Sequence, residues 1–206
     1  MRDKLDTMEE IVMDEMRAGL PILVFADAAA FDTWLEAHGL NAPGVWLKLA
    51  KKGAPELTLA KSEAIDAALC HGWIDGQLDR YDDYYWLIRF TARKAGSKWS
   101  QMNRARATEL TAAGRMRAAG LAQVKAAKAD GRWTVAYPPA RTAEPPPDLA
   151  AALAVNPKAA AFFTTLKGAN RYAILYRIGA VKKAETRARK IAQYIAMLER
   201  GETIHG

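Results

Sequence analysis

Leu69-Cys70-His71-Gly72-Trp73-Ile74-Asp75-Gly76 is the stretch whose reading decides the fold. It holds the only cysteine, one of the three histidines, a tryptophan and an aspartate around two glycines. Upstream, Thr58 can cap a helix that runs to His71 with Ala64, Ile65, Ala68 and Leu69 facing inward. Gly72 interrupts that periodicity, and Trp73-Ile74-Asp75-Gly76 opens a strand. A helix that gives way to a strand within two residues belongs to an architecture in which helices are packed on a sheet.

Toward the N-terminus the same alternation continues. Pro21 to Phe25 is a short apolar strand, and Asp27 can cap a helix over Ala28–His38 whose Phe31, Trp34 and Leu35 form one stripe. Gly39 closes that helix. Val45–Ala50 reads as a mostly buried strand, followed by an exposed loop over Lys51–Glu56. Residues 1–19 place Leu5, Met8, Val12 and Met16 at helical spacing, which predicts an amphipathic leader helix that docks on the body.

Toward the C-terminus, Asp79–Tyr85 is an acidic, tyrosine-rich hairpin loop, and Trp86–Thr91 returns as a strand. Ser97 or Ser100 can cap a helix through Leu110 or Ala113. Gly114 and Gly120 read as helix ends, and Ala118–Ala129 is a further helix closed by Asp130-Gly131. Pro138, Pro139, Pro145, Pro146 and Pro147 then form a run that excludes helix and central strand. Beyond it lie short helices over 148–155, 157–166 and 172–178, and a last one over 184–200. The expected fold is α+β: a leader over 1–19, a small sheet with packed helices over 20–136, a proline-rich linker over 137–147 and a helical domain over 148–206.

Composition bounds the function. The chain has 206 residues, 50% of them hydrophobic and 26% charged, an ordinary globular balance. No apolar run approaches the ~18 residues of a membrane-spanning helix. Asp3, Asp6, Glu9, Glu10, Asp14 and Glu15 stand where a secretory signal would be basic and then apolar. One cysteine allows no internal disulfide, so a cytoplasmic location is expected.

The net charge of +7 is unevenly placed. Residues 1–100 carry 12 Lys/Arg against 16 Asp/Glu, whereas residues 101–206 carry 18 against 7. Such a basic half suits an anionic partner, or else solubilises alanine-rich helices. Between Arg89 and Arg132 the cations include Lys94, Lys98, Arg104, Arg115, Lys125, Lys128 and Arg132, with Trp99 and Trp133 interleaved. Aromatic rings beside Arg and Lys suit stacking combined with phosphate neutralisation, so nucleic acid is one candidate partner. No helix-turn-helix, RNA-recognition or zinc-finger signature accompanies them.

Asp75 stands between Ile74 and Gly76 at a strand start, where a carboxylate must find a partner or face water. Arg89 and Arg93 sit on the strand expected to pair with its own. One reading is an ion pair that fixes the hairpin. Another is a polar pocket in which Trp73 and Trp99 are flat walls, Asp75, Arg89 and Arg93 are charged groups and Asn103 is a hydrogen bonder. Cys70 and His71 are neighbours on a helix and point about 100° apart, so they make no nucleophile–base pair. The histidines are far apart in sequence, and the glycines match no phosphate-binding loop. No catalytic residue, metal ligand or cofactor follows from these residues.

Six motifs occur in order: Cys-His-Gly-Trp-Ile-Asp-Gly at 70–76, Arg-Phe-Thr-Ala-Arg-Lys at 89–94, Ser-Lys-Trp-Ser-Gln-Met-Asn at 97–103, Gly-Arg-Met at 114–116, Ala-Lys-Ala-Asp-Gly-Arg-Trp at 127–133 and Ala-Glu-Thr-Arg-Ala-Arg-Lys-Ile at 184–191. Together, over roughly residues 20–200, they resemble the YdeI/OmpD-associated family, also labelled bacteriocin-protection proteins. The resemblance implies a YjbR/CyaY-like α+β part followed by an OmdA-type helical domain. It implies no enzymatic activity, and His71 stands where that family tends to carry an aromatic or aliphatic residue. The expected function is non-enzymatic binding or stress protection, with an anionic ligand or a protein as partner. The alternatives are nucleic-acid binding on the 89–132 face and an enzyme with Asp75 as general base.

Overall fold

The computed structural model describes residues 15–205, in two units: residues up to 99 with 103–136, and residues 100–102 with 137–205. The fold is α+β, with five strands and eight helices among the described residues. In the first unit β1 (Met16–Arg17), β2 (Leu20–Leu23), α1 (Ala28–His38), β3 (Val45–Ala50), α2 (Lys61–Cys70), β4 (Trp73–Arg80) and β5 (Tyr85–Ala92) build one sheet in the order β1-β2-β3-β5-β4. β2 and β3 are parallel, joined by α1, and the other pairings are antiparallel. Most of the expected leader helix lies outside the described residues. Its described end is extended: Met16–Arg17 pairs with β2 through Ala18 (φ 50°) and Gly19 (φ 77°), a two-residue left-handed turn.

The two faces of the sheet differ. Val45, Leu47 and Leu49 of β3 and Ile88 and Phe90 of β5 point to one face and meet Phe31, Trp34 and Leu35 of α1 and Ala64, Ala67 and Ala68 of α2. Asp27 starts α1 by accepting the Ala30 N–H at 2.9 Å. Thr58 does not cap α2. Its hydroxyl oxygen accepts the Ala50 N–H at 2.9 Å, and α2 begins at Lys61, where the Glu63 carboxylate takes the Ala60 N–H at 3.0 Å. The far face carries a smaller cluster of Ile22, Trp46 and Leu87, with Leu20 and Tyr81 packed beside it. There the Trp46 indole donates to the Arg17 carbonyl at 2.9 Å, and Arg17 pairs with Asp79 at 2.6 Å.

Helices α3 (Gln101–Ala112) and α4 (Ala118–Ala129) add a second apolar cluster around Trp99, with Leu69, Cys70, Leu110, Val124 and Ala127. Gly114 ends the α3 segment with φ 68°, whereas Gly120 lies inside α4 rather than at an end. A Cβ on Gly120 would lie 2.2 Å from the Cys70 carbonyl oxygen, so the glycine is a contact residue.

The second unit holds α5 (Pro147–Ala154), α6 (Pro157–Thr165), α7 (Gly168–Gly179) and α8 (Ala184–Glu199) around Leu149, Phe163, Ile174, Ile178, Ile195 and Leu198. Pro147 is the first residue of α5, because a helix start needs no N–H there and favours the fixed proline φ. Helix α7 begins at Gly168, four residues ahead of the expected start at Tyr172.

Arg187 of α8 ties this unit together. It makes a bidentate pair with Asp148 of α5 and donates to the Ile178 carbonyl of α7 at 2.7 Å. Those Arg187 hydrogen bonds hold the Asp148 carboxyl below its ordinary value, against the opposing effect of burial. The pair therefore stabilises the fold above the unfolded carboxyl value of about 3.9, and the effect is lost as pH falls through the lower folded value. Arg187→Gln is expected to cost roughly 1–2 kcal/mol at neutral pH, a modest figure because the Asp148 side chain is 44% exposed. In urea melts the gap between wild type and variant should narrow below about pH 4. A gap that persists unchanged at about pH 2 would show that the carboxylate charge is not what Arg187 reads.

Candidate anion-binding surface

Asp75 and Arg89, two residues of the expected Trp-Ile-Asp-Gly pocket, lie on opposite faces of the sheet. Trp73 and Trp99 are each 1% exposed, so neither ring can wall a groove. Trp73 sits edge-on to Trp34 in the helix-side core, and its indole N–H donates to the Gly39 carbonyl at 3.0 Å. Asp75 lies opposite Phe90 in the β4–β5 register and shares its face. Arg89 is the next residue along β5 and points to the other face, because successive strand residues alternate. The sheet thus separates Asp75 from Arg89, so these two residues do not form the ion pair that the sequence offered. Asp75 instead accepts a long hydrogen bond from the Asn103 amide at 3.4 Å. Arg93 is 5% exposed; it donates to the Lys98 carbonyl at 3.1 Å, with its guanidinium 3.7 Å from the centre of the Trp99 ring. Of the six candidates, Asp75 with Asn103 and Arg93 with Trp99 come together as pairs.

The basic stretch separates into neutralised and unneutralised cations. Arg106 chelates Asp66 at 2.6 Å and also reaches Glu109, and Arg115 approaches Asp66 at 3.7 Å. Arg132 pairs with Asp130 at 2.7 Å. Among the described residues no carboxylate pairs with Lys94, Arg104, Lys125 or Lys128.

Two of these four converge on Trp133. After α4, Gly131 (φ 81°) reverses the chain, and the Trp133 N–H returns to the Ala127 carbonyl at 2.9 Å. This folds the half-buried indole onto the last turn of α4, where Lys128 Nζ lies 5.4 Å from the ring centre. Arg104 of α3 donates to the Trp133 carbonyl at 3.1 Å, and Arg132 donates to the Ser97 carbonyl at 2.8 Å. Trp133 also stands edge-on to Trp99, with ring centres 4.9 Å apart. The result is a contiguous run of Arg93, Trp99, Trp133 and Lys128, with Arg104 and Arg132 at its side. Lys125, one helical turn before Lys128, is exposed on the same helix. Trp133, one of the two aromatics that the sequence interleaves with the basic stretch, is brought beside Lys128 by the turn at Gly131.

A second polar cluster joins three helices. His71 Nε2 lies 2.8 Å from Asp32 of α1, and Arg117, which precedes α4, donates to the other Asp32 oxygen at 2.8 Å. Burial pushes the Asp32 carboxyl up, but the bonds and charges of Arg117 and His71 outweigh it and hold the carboxyl below its ordinary value. Both carboxylate oxygens are occupied, so the cluster is a clasp rather than a base. Burial also pushes the Cys70 thiol up, which disfavours a thiolate at the neighbouring position. Among the described residues no group of His, Cys, Asp and Glu is placed to hold a metal ion.

Two family models divide the chain. Residues 23–123 match a domain of unknown function (DUF8412), which takes in the first four motifs. Residues 142–201 match the family described as bacteriocin-protection, YdeI or OmpD-associated (OmdA), and include the motif at 184–191. The OmdA match is thus confined to the C-terminal part and does not extend over residues 20–200. No curated protein and no solved structure matches the chain. No helix among the described residues is long and apolar enough to cross a membrane. Residues 142–201, which include Arg187 and Ile191 of α8, are therefore the part of this chain that is similar to the YdeI/OmpD-associated (OmdA) family.

Proposed function

We propose that this chain is a binding protein whose N-terminal unit holds an anionic partner on the surface that Arg104 and Lys128 make around Trp133. The observation that supports this reading is the contrast among neighbouring cations. Arg106, Arg115 and Arg117 are matched to carboxylates, whereas Arg104 and Lys128 meet Trp133 and, among the described residues, no carboxylate. Cations without counter-charges beside a partly open indole favour an extended anion over a neutral ligand. The C-terminal family is described by protection and association rather than by a reaction, which agrees with a binding role.

Binding should follow the counter-ion rule for a polyanion, with affinity falling as salt rises. Titration of the full chain with heparin and with a single-stranded oligonucleotide, read by fluorescence anisotropy, tests this. Arg104→Gln with Lys128→Gln is expected to weaken binding about tenfold or more and to flatten the salt slope by about one to two contacts. Equal affinity of the double variant and the wild type at low salt would refute the reading. A preference for the oligonucleotide over heparin that is lost in Trp133→Leu would identify base stacking as part of recognition.

A further inference from the structure

The far face of the sheet holds a different irregularity. In the β4–β5 ladder Asp75 opposes Phe90 and Leu78 opposes Ile88, so Gly76 and Gln77 together oppose the single residue Arg89. This is a β-bulge, a device that locally re-aims a strand and occurs often beside functional sites. Arg89 itself is half-buried and forms no hydrogen bond and no ion pair with any described residue. Its Nε is sealed from water without an acceptor, while its two terminal nitrogens remain accessible. Two other charged groups on these strands are engaged: Asp79 is held by Arg17, and Lys48 lies 4.1 Å over the Tyr81 ring and 4.6 Å over the Tyr85 ring.

Gly76 leaves open the approach to this guanidinium. A Cβ at that position would stand 3.9 Å from Arg89 Nε and 4.0 Å from a terminal nitrogen, so any larger side chain would fill the space in front of the fork. A half-buried cation without a counter-charge is costly for a fold to keep. Its fork geometry suits a two-oxygen anion.

We propose that Arg89, fronted by the Gly76–Gln77 bulge, is a binding site for a single oxyanion group, a carboxylate or a phosphate, on the sheet face opposite the helices. The site shares no residue with the Trp133 surface, so either can fail without the other. Its exposed bulge lies on the edge strand, where a terminal group of a small metabolite or of a peptide can reach it.

The test is a titration of the full chain with inorganic phosphate and, separately, with succinate, followed by ¹H–¹⁵N NMR at the amides of Gly76 and Gln77. Saturable shifts are expected with at least one probe, and the probe that saturates at lower concentration identifies the source of the oxyanion. Arg89→Met keeps the aliphatic stem and removes the charge; it should lose about tenfold or more in affinity, the weight of one charge-assisted pair. Gly76→Val should block the shifts while leaving Arg89 in place, whereas Arg104→Gln with Lys128→Gln should leave them intact. Because Arg89 has no hydrogen-bond or ion-pair partner among the described residues to lose, Arg89→Met should melt at or above the wild-type temperature in the absence of anion. The proposal is overturned by the absence of saturable shifts with both probes, by shifts that survive in Arg89→Met, or by an Arg89→Met variant that melts well below wild type.

Discussion

Gly120→Ala is expected to unseat α4 and destabilise the N-terminal unit by more than about 2 kcal/mol, the range of an overpacked contact that cannot relax. The methyl group would stand 2.2 Å from the Cys70 carbonyl oxygen and 2.7 Å from that of Leu69, both backbone atoms at the end of α2. They have little room to retreat. The Arg117 N–H holds the same Cys70 carbonyl at 3.0 Å, and Gly72, with φ 75°, sits so close that its own Cβ would meet the Ala119 carbonyl at 3.0 Å. Two glycines thus let the α2–β4 corner and the first turn of α4 touch backbone to backbone. Urea unfolding of the full chain would show an early transition for the variant. Gly179→Ala is the control: nothing lies within 4 Å of its added Cβ, and alanine is the better helix former, so that variant should be neutral or slightly more stable. An unchanged midpoint for Gly120→Ala would show that α4 does not seat on α2 in this way.

Trp73→Ala should cost about 3–5 kcal/mol, as expected when a large aromatic is deleted from a closed core. The indole is 1% exposed, meets Trp34 edge-on at 5.9 Å and satisfies the Gly39 carbonyl at the end of α1. Against a total stability of about 5–15 kcal/mol, this loss leaves a unit that melts near working temperature. Trp73→Phe, which keeps an aromatic ring and loses only part of the volume and the one hydrogen bond, should cost much less. Near-UV circular dichroism and the sharpness of the thermal transition distinguish the two variants. A Trp73→Ala protein with a wild-type melt would mean that the ring does not anchor this core.

The elements that local chemistry controls were readable from the residues. Asp27 with the Phe31, Trp34 and Leu35 stripe marks α1, and Asp130-Gly131 marks the end of α4, because a cap and a periodic face are properties of a few adjacent side chains. Thr58 has the chemistry of a cap, but its hydroxyl is spent on Ala50 across the loop, a contact that no window of sequence contains. Gly120 looks like a stop signal; its role comes from an opposing backbone some fifty positions away.

The relative placement of Asp75 and Arg89 was illegible for a related reason. Asp75 and Arg89 occupy paired strands with complementary charges, and only the register of the ladder places them on opposite faces. The charge count between Arg89 and Arg132 shows a basic surplus, but which cations are neutralised depends largely on Asp66 and Asp32 arriving from α2 and α1. His71 and Asp32, thirty-nine positions apart, could not be joined from spacing alone.

The bulge at Gly76 and Gln77 also bears on solubility. β4 is the last strand of the sheet, and its outer side is unpaired among the described residues. A straight run of unpaired amides there would be a template for another chain, the usual start of edge-to-edge aggregation. The extra residue breaks that row at its middle, and charged Asp79 and exposed Arg80 follow on the same strand. The irregularity that fronts Arg89 therefore also makes the open edge a poor partner for copies of itself at high concentration.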